Sequence, residues 1–166
     1  MDYTAHYDSP LGGITLASDG EKLVGLWFEG QKYFAEILGK EHGDGSDFEI
    51  FDMTRCWLDI YFSGHAPNFT PPLLMRTTDF RKRVWEIMLT IPFGKTMTYG
   101  DISRIIAKDR GLASMSPQAV GGAVGHNSIS LIIPCHRVVG TGGSLTGYAA
   151  GIDKKVRLLQ MEGIVM

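Results

Sequence analysis

The sequence predicts an α/β chain of the α+β type, with a small N-terminal β-sheet lobe carrying a helix and a mostly helical C-terminal lobe containing a helix-turn-helix. Three observations predict it. Short runs rich in β-branched and aromatic residues, divided by turn signals, fill the first 28 residues. From residue 78 onward, apolar residues recur at helical spacing behind capping residues. Between the two, Pro67, Pro71 and Pro72 keep the chain extended.

Taken in order, 3–7, 13–18 and 22–28 read as strands. Ser9-Pro10-Leu11-Gly12-Gly13 and Asp19-Gly20 separate them, and Asp-Gly between two such runs is a hairpin signal. The stretch 32–38 predicts a short helix and the polar, glycine-containing 40–46 a loop. Helical spacing returns over 53–62, where Trp57, Ile60 and Tyr61 share a face, and Gly64 ends it. The linker 63–76 then divides the chain into lobes 1–76 and 77–166. Thr78 and Asp79 cap a helix over 80–90, and Thr98 caps another over 99–107. Ser116 caps a third, with Pro117 in its first turn, running to about Gly125. Leu131-Ile132-Ile133 is a buried, strand-like run broken by Pro134. A glycine-rich loop, 140–151, leads to a last helix over 153–161.

Composition bounds the function. With 44% hydrophobic and 20% charged residues this is an ordinary globular chain rather than a disordered one. No apolar run approaches the roughly 20 residues that cross a bilayer, so no membrane partner is expected. The start, Met1-Asp2-Tyr3-Thr4, carries no basic-then-apolar leader. Two cysteines in unlike contexts read as free thiols in a reducing cytoplasm. Cys56, in an aromatic-rich helix, reads as a core thiol. The net charge of −2 conceals an asymmetry: residues 1–76 hold 5 basic and 12 acidic side chains (−7), residues 77–166 hold 11 and 6 (+5). That pattern suits a second lobe that meets a polyanion, and equally suits chance segregation on solvated faces.

The third helix is built from very small residues. Gly121, Gly122 and Gly125 each give up about 1 kcal/mol of helix propensity against alanine. Close approach of a neighbouring helix inside the protein would explain that. So would a helix laid into the minor groove of DNA, which is only about 6 Å wide. The residues alone leave both open.

Cys135 is the candidate nucleophile. A thiol with a pKa near 8.5 needs help at neutral pH, and the imidazole of the adjacent His136 can provide it. The same dipeptide also describes a buried cysteine beside a structural histidine. Nothing has the spacing of a metal site, and no Cys-x-x-Cys suggests redox work. A hydrolase dyad is awkward, because neighbours in an extended segment point to opposite faces.

The longer string decides more. Ile133-Pro134-Cys135-His136-Arg137-Val138 resembles the signature of the O6-alkylguanine-DNA alkyltransferases, the methylated-DNA–protein-cysteine methyltransferase family. So do Thr98-Tyr99-Gly100, the block from Gln118 to Asn127, and Gly147-Tyr148-Ala149-Ala150-Gly151 with the following Leu158-Leu159 and Glu162-Gly163. In the first lobe, Ser9-Pro10-Leu11-Gly12 and the block from Leu58 to Gly64 fit the family's more variable domain. The resemblance covers nearly the whole chain.

It implies irreversible, single-turnover transfer of the alkyl group from O6-alkylguanine (possibly O4-alkylthymine) in double-stranded DNA to Cys135, by a monomer needing neither cofactor nor metal. Cys135, His136, Glu162 and a water would form the reactive network. The target base would be flipped out of the duplex, because its alkyl carbon is unreachable in the stack. Tyr99 would hold the flipped nucleotide and donate toward a ring nitrogen. The carbonyls of Cys135 and Val138 would accept from the exocyclic amine, the Ala149 N–H would reach O6, and Tyr148 would wall the pocket. Asn127 would tie the end of the recognition helix to the active-site segment. Gln118, Ala119, Gly121, Gly122 and Tyr99 would face DNA in its minor groove. Arg137 would support the fold between the lobes.

Gln118 departs from the family pattern, which usually has arginine. It lacks that charge and stacking plane, which predicts weaker or less salt-dependent DNA binding. Ser128 and Ser130 stand where many relatives have proline, and Ala149 where some have serine. The alternative is a module that recognises alkylated DNA with weak or no transfer, though such relatives carry another residue at the cysteine position.

Overall fold

The structure, a computed structural model, describes residues 1–38, 42–44 and 47–165. It comprises two compact units, Met1–Arg76 with Ser128–Ile132, and Thr77–Asn127 with Ile133–Met166. The boundary at 76/77 is therefore incomplete as read from sequence: the chain returns to the first unit for five residues just before the candidate nucleophile.

In the first unit, β1 (Asp2–Ser9), β2 (Gly12–Ser18) and β3 (Leu23–Phe28) form an antiparallel meander, and the short β4 (His42–Asp44) pairs parallel to β1, giving the order β3-β2-β1-β4. Asp19 makes the second hairpin turn, its carboxylate accepting from the backbone N–H groups of Glu21 and Lys22 at 2.9 and 2.8 Å. Every residue of β3 is buried, which is why this strand reads as a continuous apolar run rather than an alternating one. Its outer edge is covered twice. Leu23 exchanges backbone hydrogen bonds with Pro72 and Leu74, and Leu26 with Ser128 and Ser130. Gly25 is there because of Trp27: a Cβ at 25 would lie 2.0 Å from the indole.

Helix α1 (Glu49–Phe62) begins four residues before the sequence expectation and buries Ile50, Phe51, Thr54, Trp57, Leu58 and Tyr61. Cys56 falls on the opposite face and is exposed, not a core thiol. The helix expected over 32–38 is instead a series of turns, with Tyr33 and Ala35 in the left-handed region (φ 60° and 55°). Seven residues are too few for a self-supporting helix. Packing of Ala35, Ile37 and Leu38 on the Ala17, Val24 and Trp27 cluster sets the backbone instead. Of the loop expected over 40–46, residues 40, 41, 45 and 46 lie outside the described residues, while His42–Asp44 is β4.

In the second unit, α2 (Asp79–Met88) is capped by Thr78, whose side chain accepts from the Arg81 N–H. The two-residue β5 (Met97–Thr98) leads directly into α3 (Tyr99–Asp109). Thr98 and Asp101 form a reciprocal capping box at its start, both bonds 3.0 Å. Helix α4 (Pro117–Gly125) is capped by Ser116 and packs on both α2 and α3, with the Trp85 indole N–H donating to the Ala123 carbonyl at 2.8 Å. Strand β6 (Val138–Val139) pairs parallel with β5, and α5 (Ile152–Met161) closes the unit.

The strand-like run at 131–133 is not a strand. Leu131 sits at φ 71° with the Ile132 N–H bonded to the Ser130 carbonyl, and Pro134 (φ −83°, ψ 70°) lets the Cys135 N–H reach the Ile133 carbonyl. Two tight three-residue turns in close succession bury this stretch without a partner strand. No helix among the described residues is long and apolar enough to cross a membrane.

Candidate active site

Cys135 opens a single 3₁₀ turn, Cys135–Arg137, so Cys135 and His136 are not in the extended backbone assumed from the sequence. All the candidate site residues belong to the second unit. The sulfur-bearing residue is 6% exposed and His136 is fully buried. The side chains of Asn127 and Tyr148 lie close enough to the Cys135 thiol to favour its ionised form. Asn127, just past the end of α4, also donates from Nδ2 to the Ile133 carbonyl at 2.8 Å, tying that helix to the turn before the cysteine.

Glu162, one residue beyond α5, is the anchor of the network. Its carboxylate accepts from His136 Nε2 at 2.6 Å, from Arg137 Nε at 2.7 Å and Nη2 at 3.2 Å, and from the Gly94 N–H at 2.9 Å. Gly94 is at φ 80°, and a Cβ there would press on the Glu162 carbonyl at 3.1 Å. Burial pushes this carboxyl up, but the hydrogen bonds from His136 and Arg137 and the charge of Arg137 outweigh it and hold it down at about 2. Arg137 also donates to the Ile91 carbonyl at 2.8 Å and stacks over Phe93. All of these partners belong to the same unit as Arg137.

The electrostatic consequence concerns His136. Burial lowers its pKa, the Glu162 carboxylate raises it, and Arg137 and Lys155 lower it again; the result is lowered. Arg137 already balances the carboxylate, so a second buried cation gains little and the imidazole stays neutral. With Nε2–H donated to Glu162, Nδ1 carries the lone pair and is the basic nitrogen. Burial raises the Cys135 pKa, while Asn127, Lys155 and Tyr148 oppose it; the rise wins in the resting site.

Other expected residues take their places around this centre. Pairing of Met97 with Val138 and of Thr98 with Val139 delivers Tyr99 beside the segment that follows the cysteine. Val138 is buried; Tyr148 and Ala149 are half-buried on the loop before α5. Gln118, Ala119 and Gly122 are exposed on α4, and Gly121 is half-exposed. A Cβ at Gly121, Gly122 or Gly125 would meet nothing within 4 Å. Close packing against a neighbouring helix therefore does not explain these glycines. The Ser116 hydroxyl, besides capping α4, donates to Gln118 Oε1 at 3.0 Å and so turns the Gln118 amide N–H groups outward.

Lys155 was not singled out from the sequence. It is fully buried, and its ammonium donates to the carbonyls of Val138, Thr146 and Gly147 at 2.6, 3.1 and 3.3 Å. A signal was present: Lys155, Leu158, Leu159 and Glu162 recur at i, i+3, i+4 and i+7, so two charged residues occupy the buried stripe of α5 and its extension.

Known proteins resemble this chain along nearly its whole length. Residues 3–75 match the family model for the 6-O-methylguanine DNA methyltransferase ribonuclease-like domain, and 79–164 the model for the 6-O-methylguanine DNA methyltransferase DNA-binding domain. A methylated-DNA–protein-cysteine methyltransferase of Mycobacterium tuberculosis is 41% identical over 160 residues, covering 95% of this chain and 92% of that one. Its namesake in Methanosarcina acetivorans is 39% identical over 166 residues, covering 97% and 98%. The crystal structure of the Mycobacterium tuberculosis protein in complex with DNA superposes with a TM-score of 0.82 at 40% identity, covering 96% of this chain and 92% of that one.

Proposed function

Because the chain belongs to the 6-O-methylguanine DNA methyltransferase family, we propose that it repairs O6-alkylguanine in DNA by moving the alkyl group onto Cys135. The observation that carries this reading is the buried chain Arg137–Glu162–His136 beside a buried thiol. Glu162 fixes the imidazole tautomer, and the neutral His136 takes the thiol proton through Nδ1, relayed by water. The sulfur then attacks the alkyl carbon in line. Its electron pair forms the S–C bond, the C–O6 bond breaks, and the departing guanine takes a proton. Tyr99 supplies that donor at the base, the carbonyls of Cys135 and Val138 and the N–H of Ala149 read its edge, and Tyr148 walls the pocket. The thioether is not reversed, so each molecule acts once.

The second unit, with α3 and α4 as a helix-turn-helix, is the DNA-binding and acceptor domain; the first is structural. The bare face of α4, from Gln118 and Ala119 through Gly121 and Gly122, lies in the minor groove, where absent side chains allow the backbone close. The protein works as a monomer, and its two unpaired cysteines suit the cytoplasm.

The test is intact-mass measurement after incubation with a duplex carrying O6-methylguanine. The expected result is a gain of one methyl, mapped to the peptide containing Cys135 and abolished in Cys135→Ala. Tight binding of the lesion duplex with no gain in mass would overturn transfer and make the chain a recognition module.

A further inference from the structure

A groove of about 480 Å³ lies along α3, outside the network of Cys135, His136 and Glu162. Residues 100, 103, 104, 107 and 108 line it from the helix, at the i, i+3, i+4, i+7 and i+8 spacing of a single face, and the connection 112–115 with Pro117 lines it from the other side. Gly100 follows Tyr99 and Pro117 precedes Gln118, so the groove lies beside two residues of the proposed DNA face. Ser103 is only 5% exposed, and its hydroxyl has no hydrogen-bond partner among the described residues. Buried hydroxyls are nearly always bonded, so an orphan in the wall of a groove marks a missing acceptor. A serine hydroxyl turns to suit the acceptor it is offered.

The charges around this hydroxyl say what kind of acceptor is missing. No acidic residue lines the groove, whereas Arg104 and Lys108 do. Arg104 is shared with the Asp101 carboxylate of the capping box. Lys108 is exposed and makes no ion pair among the described residues, and its neighbour Asp109 is engaged by Arg83 at 2.6 Å. The remaining wall is largely apolar, with Leu112 49% exposed and Met115 half-buried. A free ammonium and an orphaned hydroxyl beside bare apolar surface suit a group that is anionic at one end and apolar at the other. We infer that the groove seats the sugar–phosphate backbone of one DNA strand, with phosphate oxygens accepting from Ser103 and Lys108 and the deoxyribose packed on Leu112 and Met115. The inference rests on the DNA reading of the second unit and gives it a contact. Such a contact fixes the register of the duplex on the protein and carries no base information.

Three single variants test it: Ser103→Ala, Lys108→Gln and, as a charge control on the exposed side of α2, Lys82→Gln. Affinity for an undamaged duplex is measured by fluorescence anisotropy across a range of salt concentrations. Lys108→Gln is expected to make the plot of log affinity against log salt shallower by about 0.9, the mark of one lost phosphate contact. Ser103→Ala is expected to weaken binding about threefold or more with thermal stability unchanged or raised, because in the free protein the deleted hydroxyl bonds to nothing. A Lys108→Gln slope equal to the parent's, or a Lys82→Gln slope lowered just as far, overturns the seat. So does a Ser103→Ala protein that binds like the parent, or one that loses stability, since the hydroxyl would then be committed inside the fold. A titration with inorganic phosphate, followed by the amide NMR signals of Ser103 and Lys108, distinguishes the source of the anion. Tight, saturable phosphate binding without a change of DNA slope in Lys108→Gln would make the groove a small-anion site and overturn the assignment to DNA. The two readings fail differently: a parent that binds no duplex sinks the proposed function and this seat together, whereas a parent that binds while its Ser103 and Lys108 variants match it sinks the seat alone.

Discussion

At the scale of single residues, the site is a problem in charge allocation. Four donors converge on Glu162, and they divide its work: Arg137 balances the charge, while His136 is oriented by it. Glu162→Gln keeps the shape and removes the charge. It strands the Arg137 guanidinium in a buried position, at a cost of about 3–5 kcal/mol, and releases the imidazole tautomer, lowering alkyl transfer by a factor on the order of 10²–10⁴. The pH dependence follows from the depressed carboxyl. Folded, it is held at about 2 against an ordinary 4.5, so the unfolded chain takes up the proton first. The stability that Glu162 contributes is complete above about pH 4.5 and drains away as pH falls toward 2. Urea titrations across that window should show a steep loss in the parent protein and a shallower one in Glu162→Gln. Parallel slopes would count against the assignment. Cys135, His136 and Glu162 were picked out through the family resemblance of the strings that hold them, because the residue types alone fit a buried cysteine beside a structural histidine equally well. Lys155 was overlooked because a lysine on a helix is ordinarily solvated, and only its place on an apolar stripe distinguishes this one. The exposure of Cys56 was misjudged for the converse reason: its aromatic neighbours occupy the other face of α1.

At the scale of elements, α4 is the informative one. A Cβ on its glycines would meet nothing within 4 Å among the described residues, so helix propensity and the proposed DNA contact pull in opposite directions. Gly122→Leu should raise folding stability by roughly 0.5–1 kcal/mol, because leucine favours helix and meets no obstacle. The same change should weaken binding to duplex DNA at least tenfold by holding the backbone away from the groove. Thermal unfolding and fluorescence anisotropy read the two effects separately, and a variant that loses stability would show that the position is packed after all. The capped helices were readable because Thr78, Thr98 and Ser116 announce them locally. The stretches 32–38 and 131–133 were not readable as turns. Their backbones are set by packing, around Trp27 in the first case and in the fully buried surroundings of Leu131 in the second, and positive φ at Tyr33, Ala35 and Leu131 carries no glycine to advertise it.

At the scale of the whole molecule, the charge asymmetry acquires a use. On the proposed reading, an acidic first lobe and a basic second one bias encounter with DNA toward the half that holds the cysteine. The division into lobes was visible as a proline-rich linker, whereas the return of Ser128–Ile132 to the first unit was not, since backbone pairing to β3 leaves no side-chain signature. It bears directly on truncation. A fragment of residues 77–166 keeps every candidate site residue, but Ile129, Leu131 and Ile132, all buried, lose the unit in which they are packed. That fragment should bind a hydrophobic dye and aggregate on size-exclusion chromatography. A soluble, monomeric fragment with low dye binding would show that the segment is dispensable to order.

That same segment imposes a schedule on synthesis. The Ser128 hydroxyl bonds to the Val24 carbonyl across 104 positions of chain, and a contact so distant in sequence closes late because the intervening loop must first be ordered. As the polypeptide emerges from the ribosome, β1, β2 and β3 can pair at once and residues 72–74 can cover the outer edge of β3 at Leu23, but that edge stays open at Leu26 until residues 128–130 arrive. For most of translation the nascent chain therefore carries an unfinished sheet edge, the kind of surface that recruits other strands. The residues that close it come only a few positions before Cys135. Completion of the first lobe and appearance of the reactive thiol are thus nearly simultaneous events in the life of each molecule.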